Sequence, residues 1–286
     1  MPLPSLRVSG RAQAGLVRAL GRGLTTLALV VAGYLVFLLV VSDVAQARDQ
    51  TILFATLRSD LEAGRTPVGG AIREGTPVAL LEIPRLHVRQ VVLEGTAPNV
   101  LKRAPGHLRT RPLPGQPGNA VVAARRSTYG APFARIGHLR GGDRIRVTTG
   151  QGTSLYTVTA TTRPAAGQPD VIGPTDDNRL TLVTSDPPLR PSRRLVVTAS
   201  LQGTPNPAPA GRPKDLLEVE DGVHGDGRIA TPLLLASEAL LAAAVGAALL
   251  YRRWRLWPSW IITTPILVAA VYVVFDSFSG ALPATL

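Results

Sequence analysis

The chemistry open to this chain is bounded first by the side chains it carries. None of its 286 residues is cysteine, which removes disulfides, thiolate metal sites and a thiol nucleophile. The four histidines, His87, His107, His138 and His224, are scattered, and no two stand at a helical or finger spacing that would hold a metal. No metal and no cofactor is expected. Positive charge is almost all arginine. Among 31 basic residues only Lys102 and Lys214 are lysines, and 19 acidic residues leave a net charge of +12. A guanidinium stays protonated at neutral pH, so it binds anions rather than shuttling protons. A balance this basic raises nucleic acid as a partner, and the placement of the arginines decides against it.

Arg7, Arg11, Arg18 and Arg22 precede the 18-residue uncharged run from Leu24 to Val41, at the lower edge for spanning a bilayer. With no acidic residue among those arginines, the positive-inside rule puts the N-terminus in the cytoplasm. Ala45-Gln46-Ala47 fits a small-x-small cleavage site, so a signal peptide is the rival reading. The run is longer than a signal h-region, which favours an uncleaved anchor. Further on, Pro232 to Tyr251 is apolar except for Glu238, Arg252-Arg253-Trp254-Arg255 follows, and Trp260 to Phe275 is apolar up to Asp276. These segments read as a helical hairpin with its arginine-rich turn in the cytoplasm and Trp254, Trp257 and Trp260 at the interface. Glu238 has a functional reading as an intramembrane carboxylate; the expected one is that it lies within about two turns of the outer interface and reaches water or a partner helix. Seven arginines thus belong to membrane orientation, and no finger spacing, RNA-binding aromatic motif or basic helix is present.

The positions that must be held outside the membrane lie between these segments. Arg48 to Ala63 carries Ile52, Leu53, Leu57 and Leu61 at helical spacing, stopped at Gly64. From Val78 the period changes. Ala79–Ile83, Gln90–Leu93, Ala120–Ala124, Arg144–Thr148, Ser154–Ala160, Leu180–Thr184 and Arg194–Leu201 are strand-like runs separated by Gly, Pro and Asp. Seven short strands in this space predict a closed all-β barrel or sandwich. The Pro, Gly and acidic residues of 203–228 predict a flexible linker. No internal repeat is present.

Four stretches of the β region, in order, resemble the sortases, surface transpeptidases of Gram-positive bacteria, and among them the actinobacterial class E type. VALLEIPRLHVRQVVLEG resembles the opening strands, with an Ile-Pro step and a Val-rich strand ending in Glu-Gly. APGHLRTRPLPGQPGN resembles the Pro-Gly-His loop leading to Pro-Gly-x-x-Gly-Asn. AVVAARRSTYGAPF resembles the strand and loop that begin Ala-Gly-His-Arg and continue Thr-Tyr-Gly. TLVTSDPPLRPSRRLVVTASL resembles the Thr-Leu-x-Thr-Cys strand, its loop and the Arg-bearing strand after it. The resemblance implies an all-β, sortase-like closed β-barrel outside the cytoplasm, with one N-terminal and two C-terminal transmembrane helices.

The resemblance also implies where the family's catalytic groups fall. The nucleophilic Cys matches Ser185, the general-base His matches Arg125, and the Arg that supports the developing oxyanion matches Arg194, or Arg193 if the loop is shifted by one. Thr184, Arg193 and Tyr129 are candidates to line the groove. His107 matches a non-catalytic position. A serine hydroxyl needs an adjacent base to become a nucleophile, and Arg125 cannot take a proton. It could hydrogen-bond Ser185 or bind a carboxylate or phosphate. His87, His138 or His224 as a relocated base is the alternative.

The expected organisation is a basic cytoplasmic N-terminus (1–23), a transmembrane helix or signal anchor (24–41), a helix and loop (48–77), the barrel (78–201), the linker (203–228), a second span (232–251), an arginine-rich turn (252–258), a third span (260–275) and an extracytoplasmic tail (276–286). The expected function is a multi-pass plasma-membrane protein, with both catalytic positions replaced, that binds a peptide or cell-wall component in the former groove or scaffolds membrane protein partners. Nucleic acid is not expected as a partner; the lipid bilayer is. Two alternatives are an active serine acyltransferase or peptidase using Ser185, and a structural membrane subunit. The last residues, Leu282-Pro283-Ala284-Thr285-Leu286, carry the family's Leu-Pro-x-Thr signal, read here as a frayed terminus rather than a tethered ligand.

Overall fold

The computed structural model describes residues 10–165, 168, 172–188, 192–214, 230–253 and 256–280. The first nine residues, the second half of the linker with His224, Trp254 and Arg255 of the arginine-rich turn, and the tail from 281 lie outside them.

Leucine and valine dominate the N-terminal apolar run, which lies in one nearly continuous helix. It comprises α1 (Gly10–Val36), a π-helical turn (Phe37–Val41) and α2 (Ser42–Glu62). The hairpin helices are α4 (Ala230–Arg253) and α5 (Leu256–Ser279), with a four-residue α3 (Pro98–Leu101) inside the β region. Among the described residues, three helices, Leu20–Glu62, Ala230–Arg253 and Ser259–Ser279, are long and apolar enough to cross a membrane. Arg252 and Arg253 end α4.

Eight strands close a barrel in the order β1-β2-β3-β4-β7-β8-β6-β5. They are β1 (Pro77–Ile83), β2 (Val88–Glu94), β3 (Gly106–His107), β4 (Asn119–Ala123), β5 (Arg144–Thr149), β6 (Gly152–Thr162), β7 (Arg179–Asp186) and β8 (Arg193–Gln202). Seven match the expected runs, and the eighth, β3, is new. Two residues are too few to show a period. Gly106 lets β3 pair parallel to β2, because a Cβ there would overlap the carbonyl oxygen of Gly95.

Burial separates the two sides of the barrel. Strand β5 alternates exposed and buried residues, as a half-solvated strand should, whereas every residue of β4 is buried. Leu81, Ile83, Val122, Ile145, Leu182 and Leu195 fill the interior. Outside β4, β7 and β8, a second apolar layer of Leu108, Val121, Val183 and Val196 covers the sheet. Helix α2 lays Leu53 and Leu57 against Val91, Leu93 and Val100. The described part of the expected linker does not hang free. Asn206 donates its amide to Gly115 O, Gln151 donates to Pro207 O, and Arg212 reaches Arg111 O.

Candidate functional site

Strands β4, β7 and β8 bring the motif residues to one end of the barrel. Strand β7 pairs antiparallel with β8 so that Ser185 faces Arg194 and Asp186 faces Arg193 across the ladder. Strand β4 runs parallel to β7, with Ala123 opposite Val183. Thr184 Oγ1 then donates to Ala124 O at 2.7 Å, one step beyond the ladder. That register carries Arg125 to the level of Ser185.

The side chains at this end behave differently. Ser185 is 1% exposed and Thr184 is fully buried. Arg126, one residue past the matched position, donates to Ser185 O at 2.7 Å and to Asp186 Oδ1 at 2.6 Å. Asp186 is a charge hub: Arg163 and Arg193 also approach Oδ2, at 3.6 and 4.0 Å. Arg193 is exposed and Arg194 half-buried. Sequence reasoning gave no role to Asp186, Arg126 or Arg163. The pattern Ser-Asp after the strand was the available signal, since a carboxylate at a buried strand end needs a cation.

Arg125 itself has no exposed surface. Its Nη1 donates to Thr128 Oγ1 at 3.2 Å, and its guanidinium lies 4.9 Å from the centre of the Tyr129 ring. Burial pushes its pKa down to about 10, against smaller opposing effects of Tyr129, Asp276 and Tyr34. Tyr129 is pushed well above the usual phenol range, chiefly by burial.

The loop carrying Tyr129 is strained, and the helices hold it. Tyr129, Gly130 and Ala131 have φ of 52°, 73° and 41°, a left-handed run that two non-glycine residues adopt only at a cost. Ser42 Oγ accepts the amide of Tyr129 at 3.1 Å, and Asp43 Oδ1 accepts that of Gly130 at 2.6 Å. Tyr129 Oη donates to Asp276 Oδ1 at 2.9 Å and lies 2.6 Å from Ser279 Oγ. Lys102 Nζ donates to Asp276 Oδ1 at 3.1 Å and to its carbonyl at 2.6 Å. The loop after β4 therefore packs on α2 and on the end of α5. Ser42, Asp43, Lys102 and Asp276 were not legible as site residues, although Asp43 and Asp276 each stand just past an apolar run.

His224 lies outside the described residues, and the other three histidines fall into two environments. His107 is buried, with Nε2 donating to Pro112 O at 2.8 Å and Nδ1 3.0 Å from Glu94 Oε2. Both of its nitrogens are engaged. His87 and His138 are exposed.

The sequence model of the family described as "Sortase domain" matches residues 81–202. Sortase E from Streptomyces avermitilis is 36% identical, and the match covers 46% of this chain and 91% of that one, with a TM-score of 0.43. The chain belongs to the sortase family. Sortase D from Bacillus subtilis (strain 168) is 26% identical over 144 residues, 46% of this chain and 70% of that protein. A Clostridium perfringens Sortase D5 transpeptidase matches with 24% identity and a TM-score of 0.49, over 55% of this chain and 99% of that one. The closed eight-stranded barrel is the sortase barrel, and the matched residues span β7 and β8, the strands that carry Ser185 and Arg194 to its end.

Proposed function

We propose that this sortase-family chain is a plasma-membrane protein without transpeptidase activity, which binds a peptide or cell-wall component through the former substrate groove. The N-terminus is cytoplasmic in this reading, and the barrel is outside. One observation supports it: Arg125, which the resemblance matches to the family's general base, is a fully buried guanidinium. Even with its pKa lowered to about 10, roughly one Arg125 in a thousand is neutral at pH 7. It cannot collect the Ser185 proton at a useful rate. Retained Arg194, paired across the ladder with Ser185, supports anion or carbonyl binding in the groove.

The test is binding and cleavage of a Leu-Pro-x-Thr peptide by the full chain in detergent, wild type against Ser185→Ala. Binding without cleavage, unchanged in Ser185→Ala, is the expected result. Cleavage lost in Ser185→Ala, or labelling of Ser185 by a serine-reactive probe, would establish the serine-enzyme reading instead. A second reading, a structural membrane subunit, is favoured by the contacts of Ser42, Asp43 and Asp276 with the loop after β4. Membrane proteins that co-purify only when the hairpin is intact would support it.

A further inference from the structure

Arg125 leaves one edge of its guanidinium unused. Nη1 bonds Thr128, and the flat face covers Tyr129. Nε and Nη2 have no hydrogen-bond partner and no access to solvent. These two N–H groups lie side by side along one edge of the guanidinium. That edge holds a carboxylate or phosphate through two parallel bonds. Buried donors without partners are rare because each forfeits its hydration. Two on one edge of a cation point to an oxyanion.

A third orphan donor stands in the same junction. Tyr34 Oη, on α1, is buried and without a partner, although its ring is only half-buried. The hydroxyl is therefore turned inward. The Tyr34 ring packs edge-on against Phe275 and Phe278 of α5, each with centroids 5.3 Å away. Tyr34 and Asp276 both enter the electrostatic surroundings of Arg125. The π-helical turn begins three residues after Tyr34, a distortion that recurs where helices build sites. Asp276 does not fill the Arg125 edge, and its Oδ1 already accepts from Lys102 and Tyr129. Lys102 lies 5.7 Å from the Tyr129 ring centre, so two cations flank that ring.

We propose that the Nε–Nη2 edge of Arg125 and the Tyr34 hydroxyl form a binding site for the phosphate of a membrane lipid, at the barrel-side ends of the apolar helices. Phosphate and carboxylate share the chemistry, and the surroundings choose between them. Tyr34 sits in the apolar stretch of α1, next to Leu35 and Val36, which are 51% and 57% exposed. The wall beside the site is one that lipid chains would cover, and a lipid phosphate lies at the boundary between hydrocarbon and water. The site uses the side of Arg125 turned toward Tyr129 and the apolar helices, and it rests on reading the three helices as membrane spans.

The experiment uses the full chain in detergent, with native mass spectrometry after adding phosphatidylglycerol, diacylglycerol of the same acyl chains, or inorganic phosphate. Phosphatidylglycerol should be retained at least about tenfold over diacylglycerol, as expected when bonds to a charged group are at stake. Arg125→Gln should abolish that preference. Tyr34→Phe, which keeps the ring cluster and removes one hydroxyl, should reduce it several-fold and guards against misfolding of the first variant. Equal retention of both lipids, or retention unchanged in both variants, overturns the site. So does Arg125-dependent uptake of inorganic phosphate without preference for the phospholipid. Extraction of membranes with alkaline carbonate tests the spans separately: release of the chain sinks the spans, whereas a retained chain without lipid preference sinks only the site.

Discussion

Placing Cys at 185 and His at 125, the positions proposed to match the family's catalytic pair, tests the functional reading most directly. Ser185→Cys by itself supplies a thiol at the position proposed to match the family's nucleophile, but it leaves Arg125 at the same level of the neighbouring strand. That guanidinium can favour a thiolate electrostatically. It is a poor acid for the departing amine, since its pKa of about 10 leaves it protonated through the whole cycle at neutral pH. Adding Arg125→His changes this. An imidazole near its ordinary pKa of about 6.5 is roughly three-quarters neutral at pH 7, against about one in a thousand for Arg125. The available base rises some three orders of magnitude, within the ~10²–10⁴-fold that a positioned acid–base group contributes. The double variant should therefore transfer a Leu-Pro-x-Thr peptide to an amine nucleophile at least about a hundredfold faster than Ser185→Cys alone, measured as initial rate by chromatography. Arg125→His alone should be inactive. It also removes the contacts to Thr128 and Tyr129, so thermal unfolding of each variant is recorded alongside. A single Ser185→Cys variant within about threefold of the double would refute the reasoning, because a base other than residue 125 would then be acting.

Two further outcomes follow from the packing around the site. Tyr129→Phe and Asp276→Asn should be non-additive in unfolding experiments in detergent, with a coupling of about 1 kcal/mol, because they share one bond at 2.9 Å to a partly exposed carboxylate; additive effects would show that α5 does not hold the loop. Gly106→Ala should destabilise the barrel by about 3 kcal/mol or more, since its methyl would meet the Gly95 carbonyl between β2 and β3, and a midpoint of denaturation unchanged from wild type would contradict that pairing.

The amino-acid order by itself determined the elements whose signal is local. A run of apolar side chains with arginine at one end forms a long apolar helix wherever it is placed, so Leu24 to Val41 and the hairpin runs were legible. Alternating or continuous β-branched residues bounded by Gly and Pro gave seven of the eight strands. The motif order around Ser185, Arg125 and Arg194 was readable too, because each stretch combines a strand with its own turn. Tertiary structure decided what depends on partners distant in the chain. Strand β3 exists only because Gly106 can approach Gly95. Arg212, in a stretch read as linker, packs its guanidinium 2.8 Å from Glu94, beside His107. Asp276 meets Lys102 across 174 positions, and three arginines gather on Asp186 from three separate segments. Local pattern encodes which backbone a segment prefers. The partner of a buried charge is set by closure of the barrel, which brings together side chains whose spacing in the chain carries no period.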